Sequence, residues 1–295
     1  ETIVVIAGDI FHHKVKYSGE DIDDFTYLIT GLLARALPCV IIPGNHDVNL
    51  NNTSTTDLIG PIVKLYPQGI YYWRESGWYT LRGISFYHAS VYDGAFAEVC
   101  QLAHQKDERL GRSVLLYHGM INGAQFGRYT VHDSRITAEV IGAAWIVIAG
   151  DIHQSQFIGK TAGYCGSLIQ QNLGEGPIHG MILWDIGARQ GKFIQVENSC
   201  GFLRLDLRGK TEAEADAIVR AAAENGPKTL LKVSVITDSA SADEQIAMVK
   251  RSIGRIDRFT KVSNLPAAVA NPAEDVRDIL CEILTAAGGT PEQVA

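Results

Sequence analysis

A chain of 295 residues, 46% hydrophobic and 20% charged, has the composition of a folded globular protein long enough for a large domain and a small one, which excludes a disordered or fibrous chain. A formal net charge of −7 excludes a uniformly basic nucleic-acid binder, so any contact with nucleic acid has to rest on local basic patches and bound metal. No apolar run reaches membrane-spanning length, and no signal peptide is expected from the sequence as given. The five cysteines (Cys39, Cys100, Cys165, Cys200, Cys281) are widely spaced without a C-x-x-C pair and read as thiols of a reducing, intracellular compartment.

In chain order, TIVVIA (2–7) predicts a buried strand. Ile22, Phe25, Ile29, Leu32 and Leu33 recur at helical spacing and predict a helix over 20–37. A second apolar strand covers 39–42, and Asp57 is placed to cap a short helix running to Leu65. Short antiparallel strands are expected at 70–73, 78–82 and 84–88. A helix from Ala95 to Leu110, a strand at 113–117, a polar loop at 119–133, a short helix and a strand at 145–149 follow. MILWDI (181–186) and KFIQVE (192–197) read as a strand pair turning around Gly187 to Gly191. These elements form a first domain over 1–200. From 201 to 295 the pattern changes to a small βαβαβ unit: strands at 202–207, 230–236 and 258–262, helices at Thr211–Asn225 and Ala242–Ile253, and a last helix at 274–286.

The chemistry-bearing strings fall at strand ends. GDIFHH (8–13), GNHD (44–47) and GDIH (150–153) each follow an apolar run, and a fourth run, SVLLY (113–117), ends on His118. Four strand ends delivering oxygen and imidazole ligands to one rim is how an α/β sheet builds a two-metal site. Asp9 is the candidate carboxylate that bridges both ions. Asn45 offers a neutral oxygen, and His118, Asp151 and His153 are further metal-ligand candidates; if 151–153 is extended, Asp151 and His153 face one side with Ile152 away. His46 need not be a ligand, because an imidazole beside a phosphoryl group can protonate the leaving oxygen. Asp47 then orients His46 or caps the turn, and His12 is placed to touch substrate, so His46, His12 and Asp47 form the candidate catalytic set. Hard oxygen ligands mixed with imidazole suit Mn²⁺ better than Mg²⁺, with Fe or Zn also open.

These strings resemble the ordered motifs of the calcineurin-like metallophosphoesterase superfamily. Within it, GDIFH, PGNHD, YHG, GSLIQQNLGE (166–175) and HGMILWDI (179–186) resemble the SbcD-type nucleases of DNA double-strand-break repair. The resemblance covers about residues 2–200. It implies a four-layer α/β/β/α sandwich followed by a smaller α/β cap domain that contacts DNA. It also implies two divalent metal ions, a homodimer, and an SbcC-type coiled-coil ATPase partner. Carried over by residue, Asp9 is the bridging aspartate, Asn45 and His118 hold the second metal, His153 the first, His46 is the transition-state histidine, and His12 lies near the DNA end. Two departures stand out. GDIH replaces the usual GHxH, putting Asp151 where a histidine is usual, and the D-x-H motif expected on a strand upstream of the GD strand is absent. We read that absence as an N-terminus shortened by one strand, which leaves the first metal only Asp9 and His153 and puts the activity of the chain as given in doubt.

Three functions are weighed: a Mn-dependent nuclease acting on DNA ends, a metallophosphoesterase for small phosphodiesters or phosphoproteins, and an inactive scaffold. The intact histidine and aspartate set argues against the last. A basic cluster, Lys250, Arg251, Arg255, Arg258 and Lys261, opposed locally by Asp257 alone, favours DNA; an ordinary solvated face is its other reading.

Overall fold

The computed structural model describes residues 2–12, 17–52, 54–93, 96–127, 129–132, 134–198, 200–226, 229–238, 241–254, 256 and 258–262. The chain divides into two compact units, Glu1–Gly201 and Phe202–Ala295.

The first unit opens on strand β1 (Val4–Ala7), which runs parallel to β2 (Cys39–Ile42) through helix α1 (Gly19–Ala34). A capping box starts α1. Ser18 Oγ accepts from the Asp21 amide and the Asp21 carboxylate accepts from the Ser18 amide, satisfying two donors that the first helical turn leaves open. The helix stops short of the expected residue 37 because Arg35 N–H folds back on the Leu32 and Leu33 carbonyls and Ala36 turns to φ +53°. Helix α2 (Ile59–Val63) leads into β3 (Ile70–Tyr72). This strand was expected to be antiparallel, but it pairs in parallel with β2, from Cys39↔Ile70 to Ile41↔Tyr72. The long connection through α2 is a crossover, and a crossover returns a strand in the same direction.

A six-stranded sheet follows. Its strands are β4 (Gly77–Leu81), β5 (Ile84–Ala89), β6 (Val114–His118), β9 (Ile146–Gly150), β10 (Gln156–Ile158) and β11 (Ala162–Tyr164), in the order β10-β11-β9-β6-β5-β4. Helices α3 (Phe96–His104) and α4 (Ala138–Ala143) connect β5 to β6 and β6 to β9, so β5, β6 and β9 are parallel. The loop expected at 119–133 contains a small hairpin, β7 (Gln125–Phe126) and β8 (Tyr129–Thr130). The unit ends on the antiparallel pair β12 (Gly180–Asp185) and β13 (Gln190–Gln195).

Strand alternation sorts the apolar residues into three clusters. Cys39 and Ile41 of β2 pack with Phe25 and Ile29 of α1 and Ile59 and Ile62 of α2. Val40 and Ile42, on the opposite face of β2, pack with Phe86, Val114, Leu116 and Ile146 of the larger sheet. Leu115, Tyr117 and Val147, facing the other way, pack with Val99 of α3 and Val140 of α4. β2 and β6 are buried on both faces, which explains their uninterrupted apolar sequence.

The second unit has β14 (Cys200–Asp206), α5 (Glu212–Asn225), β15 (Thr229–Asp238), α6 (Ala242–Ile253) and β16 (Arg258–Val262), with sheet order β14-β15-β16. Its core gathers Leu205, Leu207, Val219, Val233, Val235, Met248 and Val249. The helix expected at 274–286 lies outside the described residues. Among the described residues no helix is long and apolar enough to cross a membrane, and Cys39, Cys100 and Cys165 are free thiols.

Candidate metal centre

The parallel strands β1, β2, β6 and β9 place their C-terminal ends on one rim, where open α/β sheets bind ligands. Gly8-Asp9 follows β1, Gly44-Asn45-His46-Asp47 follows β2, His118 closes β6, and Gly150-Asp151 bounds β9. The rim is tightly packed. Gly8, at φ +89°, adopts a conformation that side chains resist, and a Cβ there would strike the His118 ring. A Cβ on Gly44 would strike the Asp9 carboxylate. The glycines of these motifs therefore let a carboxylate and an imidazole from different strands meet.

His118 is the centre of the arrangement. Its ring is almost fully buried, and Nδ1 lies 2.6 Å from the Ala7 carbonyl oxygen. A carbonyl only accepts, so Nδ1 carries the proton. Nε2 then faces Asn45 Oδ1 at 3.0 Å, Asp9 Oδ2 at 3.3 Å and Asp151 Oδ1 at 3.9 Å. A neutral ring would present a lone pair to three oxygens, which is repulsive unless a cation sits among them. The protein alone can supply only a second ring proton; a divalent cation satisfies all four atoms at once. Ligand atoms of Asp9, His118 and Asp151 all lie within 4.8 Å of one another. Hard oxygens with one imidazole are the donor set that Mn²⁺ and related divalent ions accept.

Without a cation the rim groups shift one another's protonation. Burial would push Asp9 upward, but its contacts with His118 and the His46 amide outweigh that and hold the carboxyl below the usual range. Burial likewise pushes His118 toward the neutral ring, and the bond to Asp9 reverses it. Asp151 goes the other way: burial raises it, and the Asp9 charge adds to the rise against the pull of His118. Two carboxylates and one ring proton leave the rim short of positive charge, which a bound cation corrects. Both carboxylates also sit on strained backbone, Asp9 at φ +55° and Asp151 at φ +95°. Such outliers persist where surrounding structure enforces them, and they cluster at functional sites.

His46 and Asp47 have distinct positions. The His46 amide donates to Asp9 Oδ1 at 2.9 Å, and its ring Nδ1 donates to the His12 carbonyl at 2.8 Å, which leaves Nε2 as its working atom. The exposed His12 ring stacks on His46 with centroids 5.6 Å apart. Asp47 is buried and accepts from the amides of Gly44 at 2.8 Å and Phe11 at 3.0 Å, so it clamps the two rim loops together. Burial pushes its carboxyl up to about 6 despite those donors.

The segment after β9 departs from the expected extended strand. With Asp151 at φ +95°, only Ile152 turns into the core, while His153 is exposed and lies outside the Asp9–His118–Asp151 cluster. Its Nδ1 instead meets Glu175 Oε1 at 2.7 Å. Sequence reading missed Glu175; it stands 22 residues from His153, and only its place in GSLIQQNLGE marked the segment. Of the basic cluster, Lys250 and Arg251 are exposed in the last turn of α6, where they also complement the helix dipole. Arg258 and Lys261 lie on β16, and Arg255 lies outside the described residues.

Rim, fold and donor set together define a candidate divalent-metal site on parallel strand ends. Residues 1–155 match the model of the calcineurin-like phosphoesterases, and the chain belongs to that family, whose domain is that of metal-dependent phosphoester hydrolases. Over 218 residues, 70% of its length, the chain is 32% identical to uncharacterized protein R555 of Acanthamoeba polyphaga mimivirus, and it spans 16% of that protein's length.

Proposed function

We propose that this protein is a metal-dependent phosphodiesterase that cleaves DNA at its ends. The observation that carries the hydrolytic chemistry is His118 Nε2 ringed by the oxygens of Asp9, Asn45 and Asp151. Asp9, Asn45, His118, Asp151 and His153 would hold two divalent ions, Mn²⁺ by donor type. When bound, such ions activate water and neutralise charge on the scissile phosphate. The chain's own groups do the rest. Asp9 is fixed through one oxygen by the His46 amide and offers the other toward the rim. His46, its Nδ1–H held by the His12 carbonyl, would deliver a proton to the leaving oxygen from Nε2 of the doubly protonated ring and keep the Nδ1 proton.

DNA as the substrate is supported by the likeness of GSLIQQNLGE and HGMILWDI to SbcD-type nucleases, and by the exposure of His12 and His153, which suits a polymeric substrate. The clusters on the two faces of each sheet support reading the first unit as the α/β/β/α sandwich, and the reading of the second unit as a cap domain rests on the likeness to the SbcD-type nucleases. By the same likeness the partners are a second copy of the chain and an SbcC-type ATPase. Neutralising Lys250, Arg251 and Arg255 together tests the DNA reading. Duplex affinity should fall and its salt dependence flatten by roughly 0.9 in log–log slope per lost phosphate contact, with cleavage of a small chromogenic phosphodiester unchanged. Unaltered duplex affinity would remove the second unit from DNA binding and favour small phosphodiesters.

A further inference from the structure

We propose that Glu175 is a positioning residue for His153, setting the tautomer in which that ring binds metal; this rests on the metal-dependent reading above. The carboxylate is 12% exposed and the imidazole it meets is 48% exposed, so the charge is the buried, fixed partner and the ring the accessible one. Glu175 Oε1 takes His153 Nδ1 at 2.7 Å and Asn172 Nδ2 at 2.7 Å. Oε2 takes the Gln171 amide at 2.7 Å. The Glu175 backbone carbonyl accepts from the buried Gln170 side chain at 2.8 Å. Every oxygen of the residue is therefore engaged, and the carboxylate cannot swing away without breaking several bonds.

The same segment grips His153 through its backbone. The Ser167 amide donates to the His153 carbonyl at 3.1 Å, and Gly166 passes so close that a Cβ would meet that carbonyl oxygen. Residues 166–175 thus close around His153 from both sides.

The consequence is chemical. A carboxylate accepts only, so it keeps the proton on Nδ1 and leaves the Nε2 lone pair as the ligating atom. Partners of this kind typically change metal affinity by about 10–100-fold. His118 receives the same treatment from the neutral Ala7 carbonyl, so each imidazole assigned to the metals is oriented through Nδ1.

The test is a double-mutant cycle on the purified protein, with Mn²⁺ affinity read by calorimetry. Glu175→Gln should weaken Mn²⁺ binding about 10–100-fold, with the thermal midpoint in EDTA nearly unchanged. In a His153→Ala background the same change should cost nothing further, because the pair acts as a unit. An unchanged affinity, or an equal loss with and without His153, overturns the proposal and makes Glu175 a loop brace. Nitrogen NMR of the metal-free protein separates this from the wider reading. Nδ1–H on His153 in the wild type, with mixed tautomers in Glu175→Gln, upholds the hold of Glu175 on the ring. Wild-type protein that shows this tautomer yet binds no Mn²⁺ overturns the metal role of His153 and the phosphodiesterase reading together.

Discussion

His118 Nδ1 and the Ala7 carbonyl oxygen lie 2.6 Å apart, joining the end of β6 to the end of β1. Residues 111 positions apart are thereby locked into one rim, and the ring is left with Nε2 pointing at acidic oxygen. The site is a property of two sheets meeting, and of the small residues at positions 8, 44 and 150 that let them meet.

His46 is assigned to the leaving group and not to the metal. His46→Ala should lower turnover roughly 10²–10⁴-fold while metal content, by elemental analysis, stays near the wild-type level. Loss of metal on this substitution would make His46 a ligand.

His88 gives a pH signature away from catalysis. Its ring is fully buried in β5, Nδ1 donates to the Glu75 carbonyl at 3.1 Å, and Nε2 has no partner among the described residues. Burial drives its pKa down to about 4 from an ordinary 6.5. The folded-state value is depressed, so the stabilising share is complete above about 6.5 and is lost as pH falls through about 4. The loss is on the order of 3 kcal/mol. Denaturant titrations between pH 7 and 4 should show a shallower fall in stability for His88→Gln than for wild type. Parallel curves would place the acid sensitivity elsewhere.

Asp57 braces the segment after GNHD. Its side chain is 1% exposed and accepts from Tyr92 Oη at 2.7 Å, Tyr72 Oη at 2.9 Å, Gly60 N at 2.9 Å and Arg74 Nε at 3.3 Å. The Arg74 guanidinium in turn lies 3.6 Å over the Tyr92 ring. Asp57→Ala strands these donors and should destabilise the protein by about 3–5 kcal/mol, measured by urea denaturation. A loss under about 1 kcal/mol would mean the network behaves as a surface ion pair.

Much of the rim was legible in sequence because glycine, an acidic or amide residue and histidine follow apolar runs at Ala7, Pro43 and Ala149. What could not be read depends on partners distant along the chain. A short apolar run such as 70–72 carries no mark of its neighbour's direction, so its parallel pairing with β2 was missed. β10 and β11 are three residues each and show no period. Asp57 was read as a local helix cap; it does accept from Gly60, but its main partners lie 15 to 35 residues away. The positive φ of Asp151 is invisible in a residue that is not glycine, and with it His153 stands outside the Asp9–His118–Asp151 group with Nδ1 on Glu175.

The most direct measurement is hydrolysis of a chromogenic phosphodiester by wild type and Asp9→Ala, each with Mn²⁺ and with EDTA. Asp9 touches His118 and the His46 amide at once, so its loss disables the rim from both sides. Turnover is expected in wild type with Mn²⁺ alone. Asp9→Ala should fall by several kcal/mol of transition-state stabilisation, on the order of 10³-fold or more. Undiminished turnover in EDTA, or an Asp9→Ala rate near that of wild type, would contradict a metal-dependent hydrolase built on this rim.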